Sequence, residues 1–299
     1  MNPESGKKVP SGMIAACGAF VMWGLLPLYW KMLGEVPATE ILCHRILWSA
    51  VFVGGIVTIT SRWAELAKAL RSRRTLLTMT CSSVLIGINW WLYIWAVNSG
   101  HVLETSLGYY INPLVNIMLG FLFFRDRLRP LQLVAIALAA GGVIYQLVQF
   151  GKLPWVALSL AFSFSFYGLL RKIASVESIP GLMFETLVLT PIIVCYLLFL
   201  HMQGGGAFGS MGSGTDLLLA GAGVATSLPL VGFAYGARRI RLITLGLLQY
   251  VAPSIAFLLG VFVFKEPFSV DHLITFGCIW SALLLYSGEG MLKSRGWLR

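Results

Sequence analysis

Ten stretches of about twenty mainly apolar residues follow one another along this chain, near 12–33, 40–61, 75–97, 102–124, 130–149, 153–172, 181–201, 215–236, 242–264 and 270–291. A helix rises 1.5 Å per residue and the hydrocarbon core of a bilayer is about 30 Å thick, so each stretch can span it. In lipid every backbone N–H and C=O must be paired within the protein, which leaves helices or a closed barrel. Barrel strands alternate apolar and polar residues, whereas these stretches are continuously apolar. The chain is therefore predicted to be an all-α integral membrane protein of ten transmembrane helices. Composition agrees: 58% of the 299 residues are hydrophobic and 11% charged, against about a quarter charged in a soluble domain.

The formal charge of +10 does not point to nucleic acid. The basic residues fall in short clusters between apolar runs, as they do in cytoplasmic loops, and not along an aromatic-interleaved surface. With the N-terminus inside, 18 Lys and Arg residues fall on the cytoplasmic side, including Arg62, Lys68, Arg71, Arg73 and Arg74, then Arg125, Arg127 and Arg129, then Arg171 and Lys172, then Arg238, Arg239 and Arg241. Only Lys31, Arg45, Lys152 and Lys265 fall outside. Both termini are expected in the cytoplasm, with the glycine and serine stretch 204–214 as an outer loop.

Lys7 and Lys8 ahead of an apolar run resemble a signal peptide, but no cleavage site is obvious and the first segment is expected to be retained. The five cysteines stand singly in apolar stretches, without disulfide or metal spacing. No P-loop, zinc spacing or Gly-x-Ser-x-Gly elbow occurs, so neither cofactor nor metal is expected.

An offset of 140 residues aligns Tyr110 with Tyr250, Pro113 with Pro253, Leu119 with Leu259, Gly120 with Gly260, Phe124 with Phe264, and the acids Asp126 and Glu266. Residues 1–150 and 151–299 then form two repeats of five helices each. Five crossings per half make the second half inverted in topology, which is a transporter architecture.

Pro113 and Pro253 deprive the carbonyls of Tyr109 and Gln249 of their helical donors. Interrupted helices at matching points of two inverted halves point to a midplane site; two kinks satisfied by neighbouring helices are the alternative. Glu104, Gly108, Asn112, Asn116 and Gly120 recur every four residues and share one face of the fourth helix. Two amides and a carboxylate there line either a helix contact or a cavity. The substrate-binding candidates are thus Asn112, Pro113, Asn116, Tyr109, Gln249, Tyr250 and Pro253.

Glu40, His44, Arg45 and Glu104, with Lys31 at a similar outer depth, form a candidate outer gate or substrate-charge clamp. A fixed ion-pair network is the other reading. As a gate, the cluster would give flux a dependence on external pH through His44, whose ordinary pKa is about 6.5. Glu185, early in the seventh helix, is a membrane carboxylate that demands a partner. Ser163, Ser165 and Tyr167 are open between helix glue and pore lining, and a minority of Trp90, Trp91, Tyr93 and Trp95 would face a cavity.

Several of these runs resemble RarD-like members of the EamA group in the drug/metabolite transporter superfamily. They are Glu40-Ile41-Leu42 with His44-Arg45 and Trp48-Ser49; Leu85-Ile86-Gly87 with Asn89-Trp90; Ile94-Trp95-Ala96-Val97-Asn98; Ser106-Leu107-Gly108-Tyr109 with Ile111-Asn112-Pro113-Leu114-Val115-Asn116; Ala161-Phe162-Ser163-Phe164 with Phe166-Tyr167-Gly168-Leu169; and Thr244-Leu245-Gly246 with Gln249-Tyr250 and Pro253. The resemblance spans nearly the whole chain. It implies a permease of the bacterial inner membrane that moves a small metabolite or drug, usually outward, through two inverted halves. Family members end the fourth and ninth helices with Gly-Glu. Arg125-Asp126 and Lys265-Glu266 keep the acid and lack the glycine, a departure that bears on the tight turn there.

A secondary transporter working by alternating access is the function expected. A membrane sensor or scaffold without transport is the alternative. A membrane-embedded enzyme fits less well, because convergent acids, His or Cys with recognisable spacing are missing.

Overall fold

The computed structural model describes residues 3–126, 128–265 and 270–294. Twelve helices follow in order: α1 (Pro3–Lys31), α2 (Ala38–Ile59), α3 (Trp63–Arg71), α4 (Arg73–Asn98), α5 (Val102–Phe124), α6 (Pro130–Phe150), α7 (Trp155–Ile173), α8 (Ser178–Met202), α9 (Ser213–Ala237), α10 (Leu242–Gln249), α11 (Val251–Phe262) and α12 (Val270–Ser294). No strand occurs among the described residues. Ten segments are long and apolar enough to cross a membrane, with α10 and α11 together making the ninth. Side chains such as Ile144, Ile192, Leu198, Phe199 and Leu284 lie exposed on their outer faces, where a water-soluble protein would carry charge; their solvent is lipid.

Two features differ from the pattern read in the sequence. α3 is a short helix between the second and third spans, burying Leu66 and Ala69 and exposing Lys68 and Arg71. Its nine residues are too few and too charged to register as a span. The prolines also behave unequally: α5 runs without interruption through Pro113, while the hydrogen bonding of the ninth span tightens to a three-residue turn at Tyr250, three residues before Pro253, with the backbone still right-handed helical there.

Packing follows a rule. α1 packs on α9, α10 and α11, α4 on α7 and α8, α2 on α8 and α9, α5 on α7 and α10, and α6 on α12. Numbering the spans one to ten and exchanging each with the span five away turns contact 1–8 into 6–3, 4–6 into 9–1 and 2–8 into 7–3, and returns 2–7, 4–9 and 5–10 to themselves. That invariance is consistent with two inverted repeats related by a two-fold axis in the membrane plane.

The turns at Arg125 and Lys265 survive the missing glycine. Both residues are left-handed, with φ of 50° and 57°, the conformation that a glycine takes at a helix C-terminus at little cost. At the first, the amides of Arg125 and Asp126 return to the carbonyls of Phe121 and Gly120. Glu266 and Arg127 lie outside the described residues.

Candidate functional site

α5 and α10 cross antiparallel at the centre: Gly120 lies on Leu242, Pro113 on Gly246, and Tyr110 beside Tyr250. The approach depends on Gly246, where a Cβ would sit 2.7 Å from the Pro113 carbonyl oxygen and 3.0 Å from Ile117. An interior proline costs a helix about 3 kcal/mol in an aqueous host, and neighbours can re-satisfy the freed backbone. Here the Tyr250 hydroxyl donates to the carbonyl of Tyr110 at 3.2 Å, next along α5 from the carbonyl that Pro113 frees, and so ties the two crossing helices together beside the proline.

Around this crossing lies a buried amide network. Asn116 Nδ2 donates to Gln249 Oε1 at 2.7 Å and more weakly to Asn112 Oδ1 at 3.4 Å. Ser165 on α7 donates to Asn112 Oδ1 at 2.6 Å. Asn112, Asn116, Gln249 and Tyr250 are all buried, as is Pro113, while Pro253 in α11 is half-buried. Asn116 Oδ1 has no hydrogen-bond partner, a deficit of about 1–3 kcal/mol for a buried acceptor. The structure thus brings the candidates from the two halves into one cluster, and α7 supplies a member through Ser165.

Tyr109 leads from this network to a second group. It exposes 52% of its surface, its ring lies 6.4 Å from that of Tyr93, and both hydroxyls are within electrostatic reach of Arg45. The Arg45 guanidinium lies 4.7 Å from the Trp30 ring and 5.7 Å from that of Trp90, and its Nε donates to Thr226 Oγ1 at 2.9 Å. Charge at membrane depth costs about 2.5–3.5 kcal/mol even on the lenient insertion scale; ring faces recover about 2 kcal/mol when desolvated.

The proposed outer cluster is divided. Glu104 Oε2 accepts from the Val156 amide at 3.1 Å at the start of α7 and lies 3.9 Å from Lys152. Glu40 Oε1 accepts from the amides of Ala207 and Phe208 at 2.6 and 3.4 Å and lies 3.8 Å from His44 Nε2. Each acid has found orphan backbone N–H groups at a helix start or in a loop, where a carboxylate is a strong acceptor. Neither pairs with Arg45, and Lys31 sits over the Phe264 ring at 4.2 Å. His44 stacks on Phe208 at 5.1 Å. Glu40, His44, Trp48, Leu197, His201 and Phe208 line a cavity of about 260 Å³ between α2, α8 and the loop.

Glu185 has a partner that sequence reasoning counted only toward the cytoplasmic end of its span. Arg171 is fully buried, and its Nη1 lies 3.6 Å from Glu185 Oε1. Ser82 donates to that carboxylate at 2.6 Å and Tyr167 at 3.3 Å, while Arg171 Nη2 donates to the Ser178 carbonyl at 3.0 Å. Lys172, from the same end, donates to the carbonyls of Ala237 and Ile240, covering the end of α9. Ser163 receives the Asn89 amide at 2.9 Å, so Ser163, Ser165 and Tyr167 all join helices. Trp30, Thr226 and Arg171 were missed; an arginine following an unbroken apolar run was the available signal for the last.

These features define a polytopic helical membrane protein with a polar site where its two halves cross. The model of the EamA-like transporter family matches residues 10–147, and the chain belongs to that family. It is 50% identical over 280 residues to the uncharacterized transporter YojE of Bacillus subtilis, covering 92% of this chain and 93% of that one. It is 42% identical over 289 residues to Protein RarD of Escherichia coli, with 97% and 98% covered. A solved protein crystal structure shares the fold, with a TM-score of 0.67 at 21% identity, covering 92% of this chain and 96% of that one. The relatives are named as transporters or as RarD proteins, in keeping with a multi-pass inner-membrane transport protein.

Proposed function

We propose that the protein is a secondary transporter that exports a small metabolite or drug by alternating access between its halves, 1–150 and 151–299. Both termini lie in the cytoplasm, and the substrate passes the α5–α10 crossing at Asn112, Asn116, Gln249 and Tyr250. Tyr109 and the two prolines shape the approach. One observation carries this reading: within the apolar core shared by the halves, the α5–α10 crossing holds buried hydrogen-bonding side chains from both, one of them with a spare acceptor. Amides can exchange protein partners for substrate or water as the halves move, which close-packed leucines cannot do.

Flux of a metabolite panel into liposomes holding the purified protein tests it. Asn112→Leu and Gln249→Leu are expected to abolish transport while folded protein is retained, because each removes hydrogen-bonding capacity without emptying volume. Normal rates in both variants would move the path elsewhere, and no flux of any solute in the wild type would favour a sensor.

A further inference from the structure

Arg45 departs from how this chain treats its other deeply placed charges. Arg171 faces Glu185, Glu40 and Glu104 take backbone amides, and Lys172 takes carbonyls. Among the described residues no carboxylate lies within 4 Å of Arg45, and of its nitrogens only Nε makes a hydrogen bond, to Thr226. Both Nη groups are left without a protein acceptor, yet the side chain is only half-buried, so they are open to a small solute. Carrying an uncompensated guanidinium into a membrane is costly, and such a residue faces a cavity and marks function.

The surroundings describe the missing partner. Thr226 fixes the guanidinium by its Nε edge, leaving the Nη fork, a planar pair of donors that matches a carboxylate bidentately. Trp30 and Trp90 flank the cation, and Tyr93 and Tyr109 stand nearby. These rings provide an apolar wall for the body of a solute whose head reaches the fork. The acids grouped with it at the outer end, Glu40 and Glu104, accept backbone amides, as does Asp216 in the outer loop region. The site therefore has no carboxylate to neutralise an ammonium.

We infer that Arg45, aimed by Thr226 and walled by Trp30, Trp90, Tyr93 and Tyr109, is a substrate-head site for an organic monoanion with an apolar or aromatic body. It selects anions over neutral isosteres and over zwitterions. This rests on the transporter reading and adds the class of solute. Tyr109 stands three residues before Asn112 on α5, so this site and the amide network share a face of that helix.

The test is calorimetric titration of the purified wild-type protein with benzoate, phenylacetate and hexanoate, with benzamide as the neutral isostere and phenylalanine as the zwitterion. At least one carboxylate is expected to bind saturably, at least tenfold more tightly than benzamide or phenylalanine. Arg45→Gln should weaken that binding tenfold or more, and Arg45→Lys, which keeps the charge but loses the fork, should fall between. No saturable binding by any of the three anions overturns the inference, as does benzamide or phenylalanine binding equally well; neither outcome depends on a variant folding. Liposome flux separates it from the broader reading. Anion binding governed by Arg45 with no solute carried would sink transport and leave the site, while solutes carried at full rate by Arg45→Gln would sink the site and leave transport.

Discussion

Replacing Glu185 by glutamine keeps its shape and its acceptor for Ser82 while removing the charge that faces Arg171. The guanidinium is fully buried and Glu185 is 2% exposed, so no water stands ready to take over. Breaking a buried pair from one side costs about 3–5 kcal/mol, because the remaining charge is left uncompensated. At roughly 2 °C per kcal/mol for a chain of this length, the unfolding midpoint should drop by about 6–10 °C. Arg171→Met should cost a similar amount, since it strands the carboxylate and vacates the donor to Ser178. The double variant Arg171→Met/Glu185→Gln removes both charges and places a methionine beside Met79, which Arg171 already touches at 3.5 Å. It should therefore recover about 2–3 kcal/mol relative to the sum of the two. Thermal unfolding of detergent-purified protein, followed by tryptophan fluorescence, gives all four midpoints. A single variant that melts like the wild type, or a double variant whose loss is the plain sum, would refute the pair as a coupled structural unit. A double variant that regains stability but carries no solute would show that the carboxylate also serves the transport cycle.

Single cysteines at Ser72 and Ser210 of a cysteine-free background, both exposed positions, should react with impermeant thiol reagents from opposite faces; labelling from the same face would overturn the orientation and the inverted repeat. Glu40→Gln weakens the acceptor that holds the amides of Ala207 and Phe208 and should increase amide exchange in 205–210, while unchanged protection would mean that the loop is held by its own turns. Arg125→Gly and Lys265→Gly should each raise stability by about 0.5–1 kcal/mol, since a left-handed backbone costs other residues about 1–2 kcal/mol and the extra freedom of glycine in the unfolded chain offsets about 0.4–1 of it. A lower melting temperature in both variants would show that the side chains there outweigh the backbone strain.

The spans were legible because lipid imposes one requirement along twenty residues at a time, and the ten segments read from hydropathy agree with the ten helices. α3 was not, because nine amphipathic residues carry no such signal. Pro113, Pro253, Asn112, Asn116 and Gln249 were recognisable as a group from the repeat and from the four-residue spacing on the fourth helix. Their assembly with Ser165, and the unequal effect of the prolines, depend on the depth at which α7 and α10 cross α5, which no single segment encodes. The outer acids were grouped by depth alone. Depth does not say which backbone amides stand unpaired nearby, and those amides drew Glu40 and Glu104 away from Arg45. The burial of Arg171 was not legible because hydropathy counts an arginine at a helix end as wet, whether or not a buried acid waits beside it.

The unequal prolines have a consequence for motion. In the proposed carrier of two inverted halves, alternating access is a rocking of one half against the other around the site between them. In this structure only the ninth span tightens beside its proline, and the Tyr250 hydroxyl reaches across to the Tyr110 carbonyl. By the 140-residue correspondence, an opposite-facing state is expected to carry the reciprocal bond, with the Tyr110 hydroxyl donating to the Tyr250 carbonyl. Two tyrosines 140 residues apart would then work as a reciprocal latch, each fastening its own helix to the other's backbone beside the proline.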